Sequence, residues 1–267
     1  MFRVEFIGIP GAGKTTVRKA LVASLNSSTS NSYMTIEEAM LNVSRKNIDI
    51  FYRTILRILP WSLALKLSNW IKNRSLMHFE AQNSFLAAHG KSFLCFLDSA
   101  AYKSLSMQHR QIVISSFLEI GISYECISKH LHEETTVFFE EGLVQKSFMF
   151  ITLENSANTD SDPSLISYLD NVPLPDLLIY INASNNNCYN RMATRPDGLT
   201  KRLEKCSKEE VLNFIKKSRE HLEKTSNYLK EKRNVTLIEF NNNNNLDDVI
   251  SELTTIIIHH TTRKNCE

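Results

Sequence analysis

The feature that most constrains the fold of this chain is the stretch at residues 8–15, which reads G-I-P-G-A-G-K-T. It matches the pattern G-x-x-x-x-G-K-[ST], in which glycines let the backbone turn so that successive N–H groups point at one phosphate oxyanion. Three of the seven glycines of the chain lie here. The pattern requires a strand before it and a helix after it. Both are predicted, because residues 2–9 are rich in β-forming types and residues 16–26 carry apolar residues at helical spacing.

The residues of this loop have separate predicted tasks. Lys14 would reach the β- and γ-phosphates, and the Thr15 hydroxyl would ligate magnesium. The loop and the first helical turn would bind the phosphates through the set Gly8, Pro10, Gly11, Ala12, Gly13, Lys14, Thr15 and Thr16. The chain contains no N-K-x-D tetrapeptide of the kind that reads guanine. The expected cofactors are therefore ATP and Mg²⁺.

Strands and helices alternate along the rest of the chain. Further strands are predicted at residues 33–36, 135–140, 177–182 and 235–240. Helices are predicted over most of residues 37–132, from Ser207 onward with Glu210 at the capping-box spacing, and over residues 246–258. Residues 155–175 are polar and contain prolines, so we expect a surface connection there, followed much later by a loose tail after His259.

This order of elements predicts an α/β fold of the P-loop NTPase class, with a parallel sheet and helices on both of its faces. We find neither an internal repeat nor a linker, so residues 1–267 are expected to form a single domain. Within it, the helical segment at about residues 37–132 would be an insertion, and about residues 184–206 would form a small lid.

Composition argues against several other classes of protein. The net charge of +2 disfavours nucleic acid as the main partner. The five cysteines are scattered and form no C-x-x-C pair, which argues against a zinc site or a disulfide framework and suits a cytoplasmic location. Residues 48–71 are apolar but carry four charges, so no membrane span is expected. We assign the apolar residues of that region to the core and not to a membrane surface; they are Phe51, Ile55, Ile58, Leu59, Trp61 and Trp70.

A second acidic motif follows the strand predicted at residues 135–140, where the sequence reads Glu140-Glu141-Gly142. In a parallel sheet, ligands gather at the carboxyl ends of the strands. A carboxylate at such a position can hold the water shell of magnesium or take a proton from an acceptor hydroxyl. We therefore expect Glu140 to act either as a magnesium ligand or as a catalytic group.

Three segments together resemble the nucleotide and nucleoside kinase group of P-loop proteins, thymidylate-kinase-like in particular. They are G-I-P-G-A-G-K-T-T at residues 8–16, V-F-F-E-E-G-L-V-Q-K at residues 137–146, and P-D-L-L-I-Y-I-N-A at residues 175–183, followed by Arg191 and Arg195. The acidic-Glu-Gly stretch is similar to a poorly characterised bacterial branch. The resemblance implies a kinase-like domain, but it does not extend to residues 37–132, where substrate contacts would lie.

The resemblance also implies roles for individual residues. In such kinases the acidic residue after the third strand assists magnesium or acts as a base, and Glu140 matches it. The next position is often an arginine that holds an acceptor phosphate, whereas here it is Glu141. A second carboxylate would repel a phosphorylated acceptor, so Glu141 predicts a neutral or cationic acceptor with a free hydroxyl. A cation from the helical segment, at Arg45, Arg53 or Arg57, would remove this preference.

Arg191 and Arg195 are the residues of the predicted lid that would meet the nucleotide. They are four apart and would share one face of a helix, before Pro196 and Gly198 turn the chain and Lys201 and Arg202 follow. In the resembling kinases such a segment closes over the triphosphate. One arginine packs on the base, and another, for which Arg195 is the catalytic candidate, neutralises the transferring phosphoryl group.

The sequence thus favours Mg²⁺-assisted phosphoryl transfer from ATP to an unidentified small-molecule acceptor, namely a nucleoside, a nucleotide or a sugar. Two alternatives remain open at this point. The chain could be a P-loop ATPase or nucleotide-dependent regulatory protein without a metabolite acceptor. It could also be a module that binds nucleotide without turnover, although the intact Lys14 and Thr15 argue against that reading.

Overall fold

The computed structural model describes residues 1–29, 32–46, 60, 62–64, 76–132, 134–151, 163–196, 198–199, 203–204, 206–243 and 245–264. Several residues singled out from the sequence lie outside this part of the chain. They are the predicted core residues Phe51, Ile55, Ile58, Leu59, Trp61 and Trp70, and the candidate cations Arg53, Arg57, Lys201 and Arg202.

Among the described residues, five strands form one parallel sheet in the order β2-β3-β1-β4-β5. They are β1 (Phe2–Ile7), β2 (Tyr33–Thr35), β3 (Thr136–Phe139), β4 (Leu177–Asn182) and β5 (Leu237–Asn241). The central strand β1 pairs with β3 on one side and with β4 on the other. Strands β3 and β4 are buried almost throughout, as expected for a sheet covered on both faces. The predicted α/β class with a parallel sheet is confirmed.

Helices occupy most of the remaining described residues. They are α1 (Lys14–Ser28), α2 (Ile36–Lys46), α3 (Leu76–Asp98), α4 (Ala100–Ser104), α5 (Met107–His130), α6 (Pro163–Asn171), α7 (Asn185–Ala193), α8 (Lys208–Arg233) and α9 (Leu246–Lys264), with a 3₁₀ helix at Gln145–Phe150. Helix α1 packs against α9, while α3 packs against both α5 and α6. The capping box predicted for α8 is confirmed, because the Ser207 N–H donates to Glu210 Oε2 at 2.7 Å and the Glu210 N–H donates to Ser207 Oγ at 3.3 Å.

Two local predictions are wrong. Residues 163–171, expected to belong to a surface connection, form α6, and its buried side chains Leu165, Tyr168 and Leu169 follow the spacing of an amphipathic helix. Pro163 is the first residue of that helix, where the missing N–H of proline costs no helical bond. The tail after His259 is not loose, because α9 continues to Lys264 and buries Thr261.

Aromatic side chains hold the helices between β2 and β4 against one another. Phe117 of α5 stacks on Phe96 of α3 with ring centroids 6.2 Å apart. Phe150 of the 3₁₀ helix lies 5.2 Å from the ring of Tyr168 on α6, and both rings are buried. Rings at these separations add to the stabilisation that burial itself provides. The cluster therefore anchors α3, α5 and α6 to each other.

The described residues include four cysteines, Cys95, Cys126, Cys188 and Cys206, and all four are free thiols. In the same part of the chain, no helix combines the length and the apolar character needed to cross a bilayer.

A carboxylate is buried in the central strand. Glu5 is 4% exposed, and it accepts the backbone N–H of Gln145 at 2.8 Å. The side-chain oxygen of Gln145 in turn accepts the N–H of Gly8 at 2.9 Å. Burial raises the pKa of Glu5 to about 7, although backbone N–H groups oppose the shift. Glu5 therefore connects β1 to the loop after β3 and, through Gln145, to the glycine-rich loop.

The contact between α3 and α5 can be tested at a glycine. Gly121 of α5 lies so close to Phe85 of α3 that a Cβ at this position would overlap the ring. We expect Gly121→Ala to lower the free energy of unfolding by about 1–3 kcal/mol, because overpacking forces its neighbours to move. Gly90 of α3 is the matched control, since a Cβ there meets no described atom within 4 Å. Gly90→Ala should raise the free energy of unfolding by up to about 1 kcal/mol.

Urea denaturation of the wild type and of both variants measures these effects. Equal changes in the free energy of unfolding for Gly121→Ala and Gly90→Ala would contradict the packing of α3 on α5.

The raised pKa of Glu5 predicts a pH-dependent contribution to stability. The folded protein holds this proton more tightly than the unfolded chain, whose pKa is 4.5. The stabilising contribution of neutral Glu5 is fully present below pH 4.5 and is lost as the pH rises through about 7. The shift corresponds to a contribution on the order of 3 kcal/mol.

Glu5→Gln should therefore gain stability relative to the wild type as the pH rises from 4.5 to 8, by on the order of 3 kcal/mol, because glutamine stays neutral and keeps an acceptor oxygen. Urea denaturation at the two pH values measures the difference. Glu239→Gln, which changes an exposed carboxylate of β5, serves as the control. A difference between wild type and Glu5→Gln that does not vary with pH would contradict this description of Glu5.

Candidate functional site

The carboxyl ends of the described strands bring the candidate residues to one edge of the sheet. The loop at residues 8–13 follows β1, Glu37 lies at the start of α2 directly after β2, and Glu140 follows β3. Asn242 follows β5 at the same edge. Open parallel sheets bind ligands at this edge, beside the central strands. The fold thus collects residues that are far apart in the sequence.

The glycine-rich loop has the backbone conformation that its sequence requires. Gly11 has φ of 82° and Gly13 has φ of 97°, in the left-handed region that favours glycine. Helix α1 begins at Lys14 without a capping side chain and without an acidic residue in its first turn. Its first N–H groups and the positive end of its dipole are therefore available to an anion.

The structure places the predicted phosphate-binding residues together. Gly8, Pro10, Gly11, Ala12 and Gly13 lie in the turn between β1 and α1, and Lys14, Thr15 and Thr16 form the first turn of α1.

Lys14 reaches back across this loop. Its Nζ donates to the carbonyl oxygen of Gly8 at 2.8 Å. Burial lowers the pKa of Lys14, while the negative charges of Glu141 and Glu140 raise it and the positive charge of Arg195 lowers it. Glu140, Glu141 and Arg195 are therefore close enough to influence the charge of Lys14. The Lys14 amine itself lies beside the loop that would hold a triphosphate.

Thr15 and Glu140 meet at the mouth of the loop, because the Thr15 hydroxyl donates to Glu140 Oε1. A hydroxyl and a carboxylate side by side are hard oxygen ligands of the kind that Mg²⁺ takes, usually together with waters and substrate phosphates. The described residues hold no cluster of three or more His, Cys, Asp or Glu side chains that could bind a metal without such help. The donor set therefore fits a magnesium ion that arrives with a nucleotide.

Arg18 also contacts Glu140, and the sequence analysis did not predict a role for it at this site. Its side chain is 5% exposed, and its guanidinium contacts Glu140 Oε2 at 3.1 Å and Glu37 Oε2 at 2.8 Å. Burial raises the pKa of Glu37, but the hydrogen bond and the charge of Arg18 outweigh burial and hold that pKa below its usual value. Arg18 therefore brings the carboxylate of Glu37 to the same guanidinium as that of Glu140. Arg18 follows Lys14 by one helical turn, and this spacing was the available signal.

Glu141 does not stand alone at the site. Lys146 Nζ lies 3.6 Å from Glu141 Oε2, and it also donates to Ser116 Oγ of α5 at 2.8 Å. The Glu141 side chain is 58% exposed, which leaves it largely in contact with solvent. The negative charge that the sequence placed next to Glu140 is thus partly offset by a lysine five residues further on.

Arg191 of α7 and Asn242 support the glycine-rich loop through hydrogen bonds to the Ala12 carbonyl. Arg191 donates to the carbonyl oxygen of Ala12 at 3.3 Å and to that of Asn242 at 2.9 Å. Asn242 also donates from its side-chain nitrogen to the Ala12 carbonyl at 2.7 Å. Asn242 belongs to a run of five asparagines at residues 241–245, and nothing in that local pattern points to this contact.

Arg195 stands apart from Arg191. Helix α7 ends at Ala193, with Thr194 as its C-cap, so Arg195 lies in the following turn and the two arginines do not share one helical face as predicted. The turn that leads to Pro196 ends the helix earlier than the spacing alone suggested. Arg195 is exposed, and it remains close enough to act on the Lys14 ammonium.

The loop between β4 and α7 is fixed from α8. Arg219 donates to Asn182 Oδ1, to the Ala183 carbonyl, and to Asn185 Oδ1, the last at 2.9 Å. This arginine holds the start of α7, and with it the position of Arg191, although it lies far from both in the sequence.

Comparison with known proteins bears on the fold. No family model and no curated protein matches the sequence. A solved structure of deoxyadenosine kinase from M. mycoides, with the products dCMP and a flexible dCDP bound, is similar at a TM-score of 0.50 and 12% identity, covering 97% of this chain and 99% of that one. The dCTP-bound structure of that protein gives a TM-score of 0.48, at 12% identity over 97% of this chain and 100% of the other.

At such low identity, the likeness with the TM-score of 0.50 establishes a shared fold alone. Together with the parallel sheet and the glycine-rich loop after β1, it shows that this chain has the P-loop NTPase fold, in the form also seen in a deoxyadenosine kinase.

Proposed function

We propose that this protein is a Mg²⁺-dependent kinase that transfers the γ-phosphoryl group of ATP to the hydroxyl of a small molecule. The observation that carries the proposal is the contact between the Thr15 hydroxyl and Glu140 at the mouth of the glycine-rich loop, next to Lys14. It supports a phosphate site, a magnesium site and a catalytic carboxylate in one place. Free thiols at all four described cysteines suit the cytoplasmic location that we propose for such an enzyme.

The triphosphate would lie on the uncapped N-terminus of α1. The loop N–H groups would bind phosphate oxygens, and Lys14 would exchange the Gly8 carbonyl for the β- and γ-phosphates. Thr15 and Glu140 would hold magnesium, which when bound neutralises charge on the phosphates. Arg191 would pack on the base, and Arg195 would neutralise the transferring phosphoryl group from the lid at about residues 184–206.

Two carboxylates divide the remaining tasks. Glu140 is the less exposed, at 25%, and both of its oxygens are engaged by Thr15 and Arg18, which suits a magnesium ligand. Glu37 is 47% exposed and reaches the site from the start of the helical insertion, at about residues 37–132. We assign Glu37 to the acceptor hydroxyl, where an ionised carboxylate can accept the proton as the oxygen attacks phosphorus.

The charges around the site support a neutral acceptor. In the described part of the chain, Glu37 and Glu140 form ion pairs with Arg18, and Glu141 forms one with Lys146. Glu140 and Glu141 also act on Lys14. Because we assign Lys14 to the triphosphate, these ion pairs leave three carboxylates with two paired cations among the described residues. An incoming monophosphate, with close to two negative charges, would be repelled. A nucleoside or a sugar fits better, and deoxynucleosides come first because a protein of this fold is a deoxyadenosine kinase.

The reaction is tested with γ-labelled ATP, magnesium and a panel of deoxynucleosides, ribonucleosides, sugars and nucleoside monophosphates. We expect label on a neutral hydroxyl compound. Release of labelled phosphate alone, with no labelled metabolite, would make the protein an ATPase and would contradict the proposal. Efficient labelling of a monophosphate that is lost in Glu141→Arg would contradict the assignment of a neutral acceptor.

Lys14→Ala should abolish transfer and weaken ATP binding by roughly 2–5 kcal/mol, because it leaves phosphate charge uncompensated in a partly dry site. Calorimetric titration of the folded variant with ATP measures the loss. Lys19→Ala is the matched control, since Lys19 is an exposed lysine of the same helix. Equal ATP affinity in Lys14→Ala and Lys19→Ala would rule out the loop as the triphosphate site.

Arg195→Ala should lower kcat by about 10²–10³-fold and change ATP affinity much less, because its contact would form mainly in the transition state. Arg191→Ala is the informative comparison. It should raise the KM for ATP more than it lowers kcat, since Arg191 braces the loop that receives the nucleotide. Steady-state kinetics with the acceptor found above separate the two effects. A rise in KM alone for Arg195→Ala would contradict its role.

A further inference from the structure

Arg18 is the most deeply buried cation at the edge of the sheet that carries the candidate site. It lies on α1, one turn beyond Lys14, and its side chain is 5% exposed. One terminal nitrogen contacts Glu37 at 2.8 Å and the other contacts Glu140 at 3.1 Å. Its Nε has no hydrogen-bond partner among the described residues. Within the described part of the chain, the polar contacts of the guanidinium are therefore those to these two carboxylates.

The two carboxylates come from separate elements of the fold. Glu37 stands in the first turn of α2, after the edge strand β2, whereas Glu140 follows β3. Nothing in the covalent chain fixes one against the other, and two like charges at close range repel. A buried arginine is costly to desolvate, and it is stabilised here by contact with both acids. The planar guanidinium thus fixes the direction and spacing of its two partners.

Arg18 differs in its contacts from Arg219 and Arg233. Arg219 binds a backbone carbonyl and two asparagine side chains, and Arg233 binds the Leu169 carbonyl and lies 3.9 Å from Asp170, far from the site. These contacts tie helices to neighbouring elements. Arg18 instead joins the carboxylate that we assign to magnesium with the one that we assign to the acceptor.

We propose that Arg18 is a positioning residue that sets the Glu37 carboxylate relative to Glu140, so that the acceptor hydroxyl meets its base in line with the bound MgATP. This inference rests on the proposed kinase function. Arg18 contacts neither the Gly8 carbonyl that Lys14 engages nor the backbone of the glycine-rich loop in the described hydrogen bonds, and it meets the ATP site through Glu140. We therefore expect a larger effect on the chemical step than on ATP binding.

Kinetics of Arg18→Met and Arg18→Lys test this role. We expect kcat to fall by about 10²-fold in Arg18→Met, the usual consequence of a small misplacement of a reacting group. The KM for ATP should rise much less than kcat falls, because Lys14 and the backbone of the glycine-rich loop, which bind the phosphates, are unchanged. Arg18→Lys should recover part of kcat, since an ammonium can meet one carboxylate but cannot bridge two.

Arg233→Met is the matched control, because it removes an arginine–carboxylate contact away from the site and should leave kcat unchanged. Thermal unfolding of each variant is measured in parallel. If Arg18→Met does not fold, the kcat and the KM for ATP of Arg18→Lys are compared with those of the wild type instead. Wild-type kcat in the folded Arg18→Met, or a rise in the KM for ATP as large as the fall in kcat, would overturn the proposal.

The link through Glu37 is tested by a double-mutant cycle. In a Glu37→Gln background, Arg18→Met should cost much less than about 10²-fold in kcat, because the group that Arg18 positions is already gone. If the double variant instead lost kcat by the product of the two single losses, Arg18 would not act through Glu37, and this result would overturn the proposal.

A geometric measurement separates this inference from the proposed function. Crystal structures of wild type and Arg18→Met, each with a non-hydrolysable ATP analogue and magnesium, should show Glu37 turned away from Glu140 in the variant only. A Glu37 side chain that keeps its place without Arg18 would overturn the positioning role even if the enzyme transfers phosphate. Conversely, a wild type that labels no acceptor would refute the kinase while the geometric result still stands.

Discussion

The site depends on backbone N–H groups that the fold leaves without side-chain acceptors. Helix α1 begins at Lys14 with neither a cap nor an acidic first turn, and Gly11 and Gly13 take the left-handed conformations that the turn into it requires. In most helices a Ser, Thr, Asp or Asn side chain would satisfy these donors. Here an anion can do so, at the point where the helix dipole is most positive. Because β1 is the central strand, its neighbour β3 brings Glu140 to this place, and β5, which lies on the far side of β4, brings Asn242 there.

Two buried ionisable side chains, Glu5 and Arg18, then fix the acidic loop after β3 against the glycine-rich loop. From the side of β1, Glu5 accepts the Gln145 N–H, and Gln145 accepts the Gly8 N–H. From the side of α1, Arg18 contacts Glu140 directly. Burial of a carboxylate or a guanidinium is unfavourable unless its partners are in place. The two residues therefore make the relative position of the two loops costly to change, which is the preorganisation that the proposed phosphoryl transfer would require.

The motif and the alternation of elements were enough to predict the parallel sheet and the residues of the loop, because glycine spacing and β-rich runs are local signals. Long-range contacts were not predictable in the same way. Arg18 pairs with two carboxylates that arrive from other elements, and Asn242 contacts the loop only after β5 has been placed in the sheet. Helix α6 was missed because polar residues and prolines outweighed its short apolar repeat, although proline is well tolerated in a first turn. The length of α9 was underestimated because Thr261 is buried by tertiary packing that its polarity does not reveal.

The assignment of the phosphate site is tested most directly by a crystal structure of the wild-type protein with a non-hydrolysable ATP analogue and magnesium. We predict that the β- and γ-phosphates lie on the N-terminus of α1, that Lys14 Nζ moves from the Gly8 carbonyl to phosphate oxygens, and that the metal lies beside Thr15 and Glu140. A nucleotide bound away from residues 8–15, or one bound there while Lys14 stays on Gly8 and the metal lies elsewhere, would contradict it.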